Sequence, residues 1–127
     1  MFDLFVQSTE DYLKLVDDWN DPLEPPVIEE YDSIKVVRED MVNGGSKARS
    51  GDFLIQSHPE IEEWVYGSSP ATGYAQVALA VLCKRHNKKA VLFMANRAKD
   101  NLTNLQERAI DEGADMRWVP NGMLTVT

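Results

Sequence analysis

Cysteine, positive charge and long apolar runs are all scarce in this sequence of 127 residues. The one cysteine, Cys83, can form no internal disulfide, which is typical of proteins from a reducing compartment. No apolar stretch approaches the roughly 20 residues that a membrane-spanning helix needs, and the acidic start at Asp3 is unlike a secretory signal. The sequence therefore predicts a cytoplasmic protein that has no membrane partner.

The charge balance argues against nucleic acid as a partner. Lys and Arg number 13 against 21 Asp and Glu, which gives a formal net charge of −8, whereas phosphate backbones attract an excess of basic residues. Basic residues concentrate between positions 84 and 99, and most acidic residues lie before position 64. Two interpretations stay open: the regions are separate solvated faces, or they attract each other within the fold or between subunits.

The length fits a single domain with an N-terminal extension. Apolar residues recur at roughly helical spacing over residues 1–20. Prolines at positions 22, 25 and 26 then stop any helix, because proline lacks the backbone N–H. We therefore expect residues 1–26 to form a helical arm and a proline-rich linker, and residues 27–127 to form the main domain.

Strand and helix patterns alternate through the main domain. Apolar, β-branched runs predict strands near residues 27–28, 34–38, 64–66, 90–94 and 116–119. Helical periodicity predicts helices over residues 47–56, 74–86 and 101–112, the last ended by Gly113. The strands are continuously apolar, as in parallel sheets that are covered on both faces. The prediction is a three-layer αβα domain of the α/β class with a mainly parallel, twisted sheet of about four strands.

Two loops of small residues, 43–47 and 67–73, follow predicted strands. Ligands of open parallel sheets bind beyond the carboxyl ends of the strands, near helix N-termini. Lys47 follows Gly44 and Gly45 and opens a predicted helix. A lysine there can bind a phosphate or act as a nucleophile, or it can be a surface lysine beside a turn. The segment is not a Walker A motif.

Other candidate residues favour structural roles. His58 and His86 lack metal-ligand spacing, so we predict no metal site. We expect His58 to be a loop residue and His86 to be a cation at a helix end. Cys83 lies in an apolar helix, where a buried small side chain is expected. Glu39 and Asp40 either help to set the charge state of Lys47 or form a solvated pair.

Residues 36–49 carry a more specific pattern. Val-Val-Arg-Glu-Asp, followed by Gly-Gly-Ser-Lys-Ala-Arg, resembles the K-R-E-D … G-G-N-K-x-R signature of fold-type II pyridoxal-phosphate enzymes, the tryptophan synthase β-subunit superfamily. The similarity is greatest to the aminocyclopropane-carboxylate deaminase and D-cysteine desulfhydrase branch. In that family the lysine forms a Schiff base with the cofactor. The resemblance implies that role for Lys47 and places Gly44, Gly45 and Ser46 beside the cofactor.

Residues 67–78 resemble the same family's S-x-G-N-x-A-Q-x-V-A loop and helix. There the serine and glycine loop holds the substrate carboxylate, which implies substrate binding by Ser68, Ser69 and Thr72. The family's cofactor-binding asparagine corresponds to Thr72 or Gly73, depending on the alignment, and Gly73 is the candidate cofactor contact. Residues 89–118 resemble the following strand, helix and strand of the family. The resemblance covers about residues 27–119.

The resemblance implies a lyase or deaminase that acts on amino acids with pyridoxal phosphate. The family's phosphate-binding cup lies downstream of the region matched, so we expect a homodimer or a completing protein chain. Two alternatives stay open: a non-catalytic binding or assembly module derived from this fold, and a small anion- or nucleotide-binding α/β domain. Compact enzyme relatives are common in phages, and a viral source would place the protein in the host cytoplasm.

Overall fold

A computed structural model describes residues 8–17, 20–67, 71–96 and 100–120. The helices among them are α1 (Thr9–Asp17), α2 (Lys47–Ser57), α3 (Ala75–Arg85) and α4 (Asn104–Asp111), with a 3-10 helix at Glu39–Met41. The strands are β1 (Ile28–Tyr31), β2 (Ile34–Val37), β3 (Glu63–Tyr66), β4 (Lys89–Ala95) and β5 (Asp115–Val119). These elements confirm the predicted α/β class.

The main sheet is parallel and has the order β3-β4-β5. Val65 lies opposite Val91, and Leu92 lies opposite Met116. The central strand β4 is the continuous apolar run of the sequence, and both Val91 and Leu92 are fully buried. Burial on both sides of a strand favours such a run over an alternating pattern.

Strands β1 and β2 form a separate antiparallel hairpin. Tyr31 pairs with Ile34, and the two turn residues Asp32 and Ser33 have φ values of 46° and 72°. Two consecutive positive φ angles suit the tight turn that joins antiparallel strands, whereas a parallel pair needs a crossover of a dozen or more residues. The parallel sheet of the described residues therefore has three strands, where the sequence predicted about four.

The core lies between one face of the parallel sheet and three helices. Helix α3 contacts β3 and β4 and packs against both α2 and α4. The sheet residues that face this core are Trp64, Ala90, Leu92, Met94, Met116 and Trp118. On the opposite face Val65 is 58% exposed. A third layer over that face stays a prediction.

Ion pairs join the basic segment after residue 84 to the acidic first half of the chain. The pairs are Arg85 with Asp52 at 2.9 Å, Lys88 with Glu62 at 2.7 Å, and Lys89 with Glu63 at 3.2 Å. The two regions thus attract each other within the fold. Only Asp52 among these carboxylates is buried, and exposed pairs contribute little to stability.

The boundaries of the helices follow their capping residues. Helix α4 begins after Thr103, whose hydroxyl and backbone form a capping box with Gln106. It ends before Gly113, which has a φ of 96° and donates to the carbonyl of Ile110 at 2.8 Å, as predicted for a terminating glycine. The predicted N-terminal helix is observed at Thr9–Asp17, and the rest of its predicted span falls partly outside the described residues. The division at residue 26 stays a prediction.

No helix in the described part of the chain has the length and apolar character to cross a bilayer.

Candidate functional site

A tight turn at Gly44 and Gly45 leads into α2. Their φ angles are 96° and 68°, in the region where residues with a side chain are strained. The turn is closed by hydrogen bonds from the Gly45 N–H to the Val42 carbonyl at 2.8 Å and from the Ala48 N–H to the Gly45 carbonyl at 2.9 Å. The glycines therefore allow the chain to reverse sharply just before the helix begins.

Lys47 is the first residue of α2. The preceding residue, Ser46, provides no side-chain cap, and the N–H groups of Ala48 and Arg49 in the first turn donate to the carbonyls of Gly45 and Ser46. The side chain of Lys47 is exposed. Its ammonium has no ion-pair or hydrogen-bond partner among the described residues. The amine is thus accessible and unpaired at the start of a helix.

The glycine turn packs directly against the start of α3. A Cβ atom added to Gly45 would lie 3.1 Å from Cε1 of Tyr74, and one added to Gly44 would lie 3.8 Å from Cα of Ala78. Larger residues at the turn would separate the two helices. The absence of side chains at Gly44 and Gly45 therefore brings residues 44–47 and 74–78, from the two motif segments, into contact.

An open cleft of about 310 Å³ lies between these segments. Its lining residues are Glu39, Asp40, Gly45, Ser46, Lys47 and Tyr74. The volume falls at the lower end of the range for small-molecule sites, about 300 to 1,000 Å³. Three of the predicted cofactor residues, Gly45, Ser46 and Lys47, therefore share one cleft, while Gly44 is buried beneath them.

The two carboxylates of the cleft are each bound by an arginine. Glu39 accepts from Arg49 at 3.0 Å, and Asp40 accepts from Arg38 at 2.7 Å. The hydrogen bond from Arg38 lowers the pKa of Asp40, and the hydrogen bond to Glu39 raises the pKa of Arg49. Both carboxylates beside Lys47 are therefore ion-paired, although each arginine is shared with a second carboxylate, Glu29 for Arg38 and Asp21 for Arg49.

The predicted substrate loop is only partly described. Ser68 and Ser69 lie outside the described residues. Thr72 is exposed and Gly73 is half-buried, and neither is among the described residues that line the cleft. The loop is anchored at its end, since the amide of Gln76 donates to the carbonyls of Ala71 at 3.1 Å and Gly73 at 2.8 Å.

Sequence reasoning missed three polar side chains beside the cleft. The guanidinium of Arg108, on α4, donates to the Tyr74 hydroxyl at 2.9 Å and to Oδ1 of Asn43 at 3.0 Å. Its Cζ lies 5.8 Å from the centroid of the Tyr74 ring. These residues are 34 and 65 positions from Arg108, so no local pattern indicates the contact.

A second polar cluster lies away from the cleft. Asp52 is 2% exposed and accepts from His86 Nε2 at 2.7 Å, Arg85 at 2.9 Å and Gln56 at 2.6 Å. Burial alone would raise the pKa of Asp52, but the hydrogen bonds from His86, Arg85 and Gln56 outweigh it and lower the pKa. His86 thus lies at the helix end, as predicted, with an unforeseen partner.

Cys83 is buried as predicted, and burial raises the pKa of its thiol to about 11. His58 caps the end of α2 and lies 3.3 Å from Glu60. A search of the described residues finds no group of three or more His, Cys, Asp or Glu that could hold a metal ion.

No known family model and no curated protein matches this chain. Its function is therefore inferred from the cleft and from the two motif segments that border it.

Proposed function

We propose that the chain provides the lysine-bearing part of a fold-type II pyridoxal-phosphate enzyme, a lyase or deaminase that acts on amino acids in the cytoplasm. One observation supports the proposal: residues from the two motif segments line the same cleft. Lys47, from the segment that resembles the family's lysine motif, shares a cleft with Tyr74, from the segment that resembles its substrate loop. The two residues are far apart in sequence, and both segments have the resemblance independently.

The residues of the cleft fit the cofactor's aldehyde end. Lys47 has an accessible, unpaired amine that would hold the aldehyde carbon, and Gly45 and Ser46 offer an open backbone surface beside it. When bound, pyridoxal phosphate supplies an electron sink for charge that develops on an amino acid substrate. We assign the substrate carboxylate to the loop of Ser68, Ser69 and Thr72, and we expect the part of the phosphate cradle that this chain lacks to come from a second copy or a completing chain.

The chain's own residues prepare this cleft electrostatically. Arg38 and Arg49 bind the two carboxylates that would otherwise repel an anionic ligand. The glycine turn allows the backbone to pack closely against Tyr74, because any Cβ at Gly45 would meet the ring of that residue. Gln76 anchors the end of the substrate loop at the start of α3. Gly45 and Gln76 thus contribute to the packing of the lysine segment and of residues 71–73 against the start of α3.

The proposal predicts a single reactive lysine. Purified protein is incubated with pyridoxal phosphate, reduced with borohydride, digested and analysed by mass spectrometry. We expect the adduct chiefly on Lys47, because the cleft adds contacts that a surface lysine lacks. Lys47→Arg should abolish the main adduct. Lys14→Arg, at an exposed lysine on α1, should leave it unchanged. Labelling that is spread evenly over exposed lysines would contradict the proposal.

A second candidate, a non-catalytic assembly module, is favoured by the apolar β1–β2 hairpin. Ile34 is 66% exposed and Ile28 is 59% exposed, which is unusual for an element that serves only its own domain. Even labelling of surface lysines, together with self-association through the hairpin, would favour this second function over the first.

A further inference from the structure

Arg108 differs from the other arginines in the described part of the chain. Five arginines lie there, and four of them bind carboxylates: Arg38 binds Glu29 and Asp40, Arg49 binds Asp21 and Glu39, Arg85 binds Asp52, and Arg117 binds Asp115. Arg108 is half-buried, and among the described residues it binds only two neutral oxygen atoms, of Tyr74 and Asn43. Partly buried charges are normally paired. The described part of the chain therefore provides no carboxylate partner for Arg108.

Because Arg108 donates to both of its partners, each partner keeps a donor group that does not bind Arg108. A guanidinium has no acceptor, so the oxygen of Tyr74 must accept from it, and the hydroxyl hydrogen must point elsewhere. The same holds for Asn43, whose Oδ1 accepts and whose Nδ2 is then left to donate. Neither donor finds an acceptor among the described residues. Two donors beside an unpaired cation are thus available to a ligand.

One of these donors, the hydroxyl of Tyr74, belongs to a residue that shares the cleft with Lys47. The ring of Tyr74 contacts the position of Gly45, and Tyr74 lines the same cleft as Lys47. The cleft carboxylates Glu39 and Asp40 are already bound by Arg49 and Arg38. The hydroxyl of Tyr74 is therefore the polar group of the cleft that lies beside a cation with neutral partners.

We propose that the Tyr74 hydroxyl and the Asn43 amide bind an anionic group, phosphate or carboxylate, of the aldehyde-bearing ligand that reacts at Lys47. Arg108 is a positioning residue that orients both donors and adds its charge. The inference deepens the proposed function and rests on it for the role of Lys47. It adds a requirement, that the ligand carries a negative charge on the Tyr74 side of the cleft.

The test compares matched charged and neutral aldehydes. Pyridoxal phosphate is compared with pyridoxal for the phosphate, and 4-carboxybenzaldehyde with 4-(hydroxymethyl)benzaldehyde for the carboxylate. After reduction, the adduct at Lys47 is divided by the adduct at exposed Lys14, which corrects for the intrinsic reactivity of each aldehyde. We expect about a tenfold preference for the charged member of at least one pair, consistent with a hydrogen bond to a charged group. The pair that shows it identifies the anion.

Three variants and a control separate recognition from folding. Tyr74→Phe keeps the ring against Gly45 and removes only the hydroxyl, so it should remove most of the preference. Arg108→Gln should reduce it strongly, and Arg108→Lys, which keeps one charged donor, should restore part of it. Arg117→Gln removes an exposed arginine of β5 and should leave the preference unchanged. Labelling by the neutral aldehydes should persist in every variant, because Lys47 is intact.

The outcomes distinguish this inference from the proposed function. Specific labelling of Lys47 without any preference for charged aldehydes, or a preference that Tyr74→Phe leaves intact, overturns the anion site alone. Absence of specific labelling with all four aldehydes overturns the proposed function. In that case inorganic phosphate and acetate serve as the probes. A rise in the unfolding temperature with either anion that Tyr74→Phe removes supports the anion site, whereas no rise with both anions, or a rise that Tyr74→Phe leaves intact, overturns it.

Discussion

Gly44 and Gly113 have the same backbone φ of 96° in very different surroundings. A Cβ at Gly113 would meet nothing within 4 Å, whereas a Cβ at Gly44 would lie 3.0 Å from Cβ of Ala48 and 3.6 Å from Cγ1 of Val81. Substitution at Gly113 thus introduces backbone strain alone. Substitution at Gly44 introduces the same strain together with overpacking between α2 and α3.

We expect Gly113→Ala to lower the free energy of unfolding by about 1 kcal/mol, the usual strain of an L-residue in this region. Gly44→Ala should lower it by roughly 2 to 3 kcal/mol, because tight contact with a packed core adds to the strain. Urea unfolding of both variants measures the difference. Equal losses would show that Gly44 is required only for its backbone conformation and not for the close approach of α2 and α3.

At the scale of elements, Asp52 connects two helices that are distant in sequence. It lies on α2 and accepts from Arg85 and His86 at the end of α3. Removing either partner of a buried ion pair lowers the free energy of unfolding far more than removing one partner of an exposed pair. This cluster therefore fixes the packing of α2 on α3, and so the position of Lys47 at the start of α2.

The Asp52 cluster predicts a loss of stability in acid. The pKa of Asp52 is lowered in the folded protein from an ordinary value near 3.8. Stabilisation by the carboxylate is therefore complete above that ordinary value and is lost as the pH falls below it, through the folded pKa. Asp52→Asn should lower the free energy of unfolding at pH 7 by about 2 kcal/mol. It should also flatten the decline below pH 4.

Urea unfolding of both proteins from pH 7 to pH 2 measures these slopes. Asp40→Asn is the matched control, because Asp40 also accepts from an arginine but is exposed. A full acid-dependent loss in the Asp52→Asn protein would contradict this role of the buried carboxylate.

The β1–β2 hairpin has no extensive contact with the other described elements. An isolated two-stranded hairpin is marginally stable in water and needs a further layer to cover its apolar side chains. Tyr31 and Ile34, which pair across the strands, are 56% and 66% exposed. Their exposure makes the hairpin the element of the described residues best suited to contact a second copy or a completing chain.

For the whole molecule, this exposure predicts self-association. We expect the chain to sediment above its monomer mass at micromolar concentrations, because contact between hairpins removes apolar surface from water. Ile34→Thr combined with Val37→Thr should shift the distribution towards monomer. Leu54→Thr is the control, since Leu54 is similarly exposed, at 49%, on α2. A chain that remains monomeric at high concentration would contradict the predicted homodimer.

The parallel βα units after residue 63 were predictable because their signals are local. The apolar run of β4, the buried face of α3 and the terminating Gly113 each depend on neighbouring residues. The hairpin was harder to predict, since a turn at Asp32 and Ser33 decides whether the strand folds back or joins the main sheet. The local sequence predicted both strands but not which strands they pair with.

The candidate site likewise contains residues that the sequence indicated and a residue that it did not. Residues 44–47 were recognisable because the turn and the helix start are contiguous in sequence, and three of them, Gly45, Ser46 and Lys47, line the cleft. Arg108 was not recognisable, because its relation to Tyr74 depends on how α4 packs beside α3. A solitary arginine on an amphipathic helix has no local feature that distinguishes it from a solvated one.

The sequence by itself determined the scarcity of basic charge, the α/β class and a lysine after a glycine turn, since these follow from composition and short-range spacing. Only the tertiary structure decided which charges are paired. It gave Asp52 three partners, bound the acids near Lys47 to arginines, and left Arg108 with neutral partners. The physical reason is that hydrogen bonds and ion pairs depend on distances between elements, which helix packing sets and sequence spacing does not.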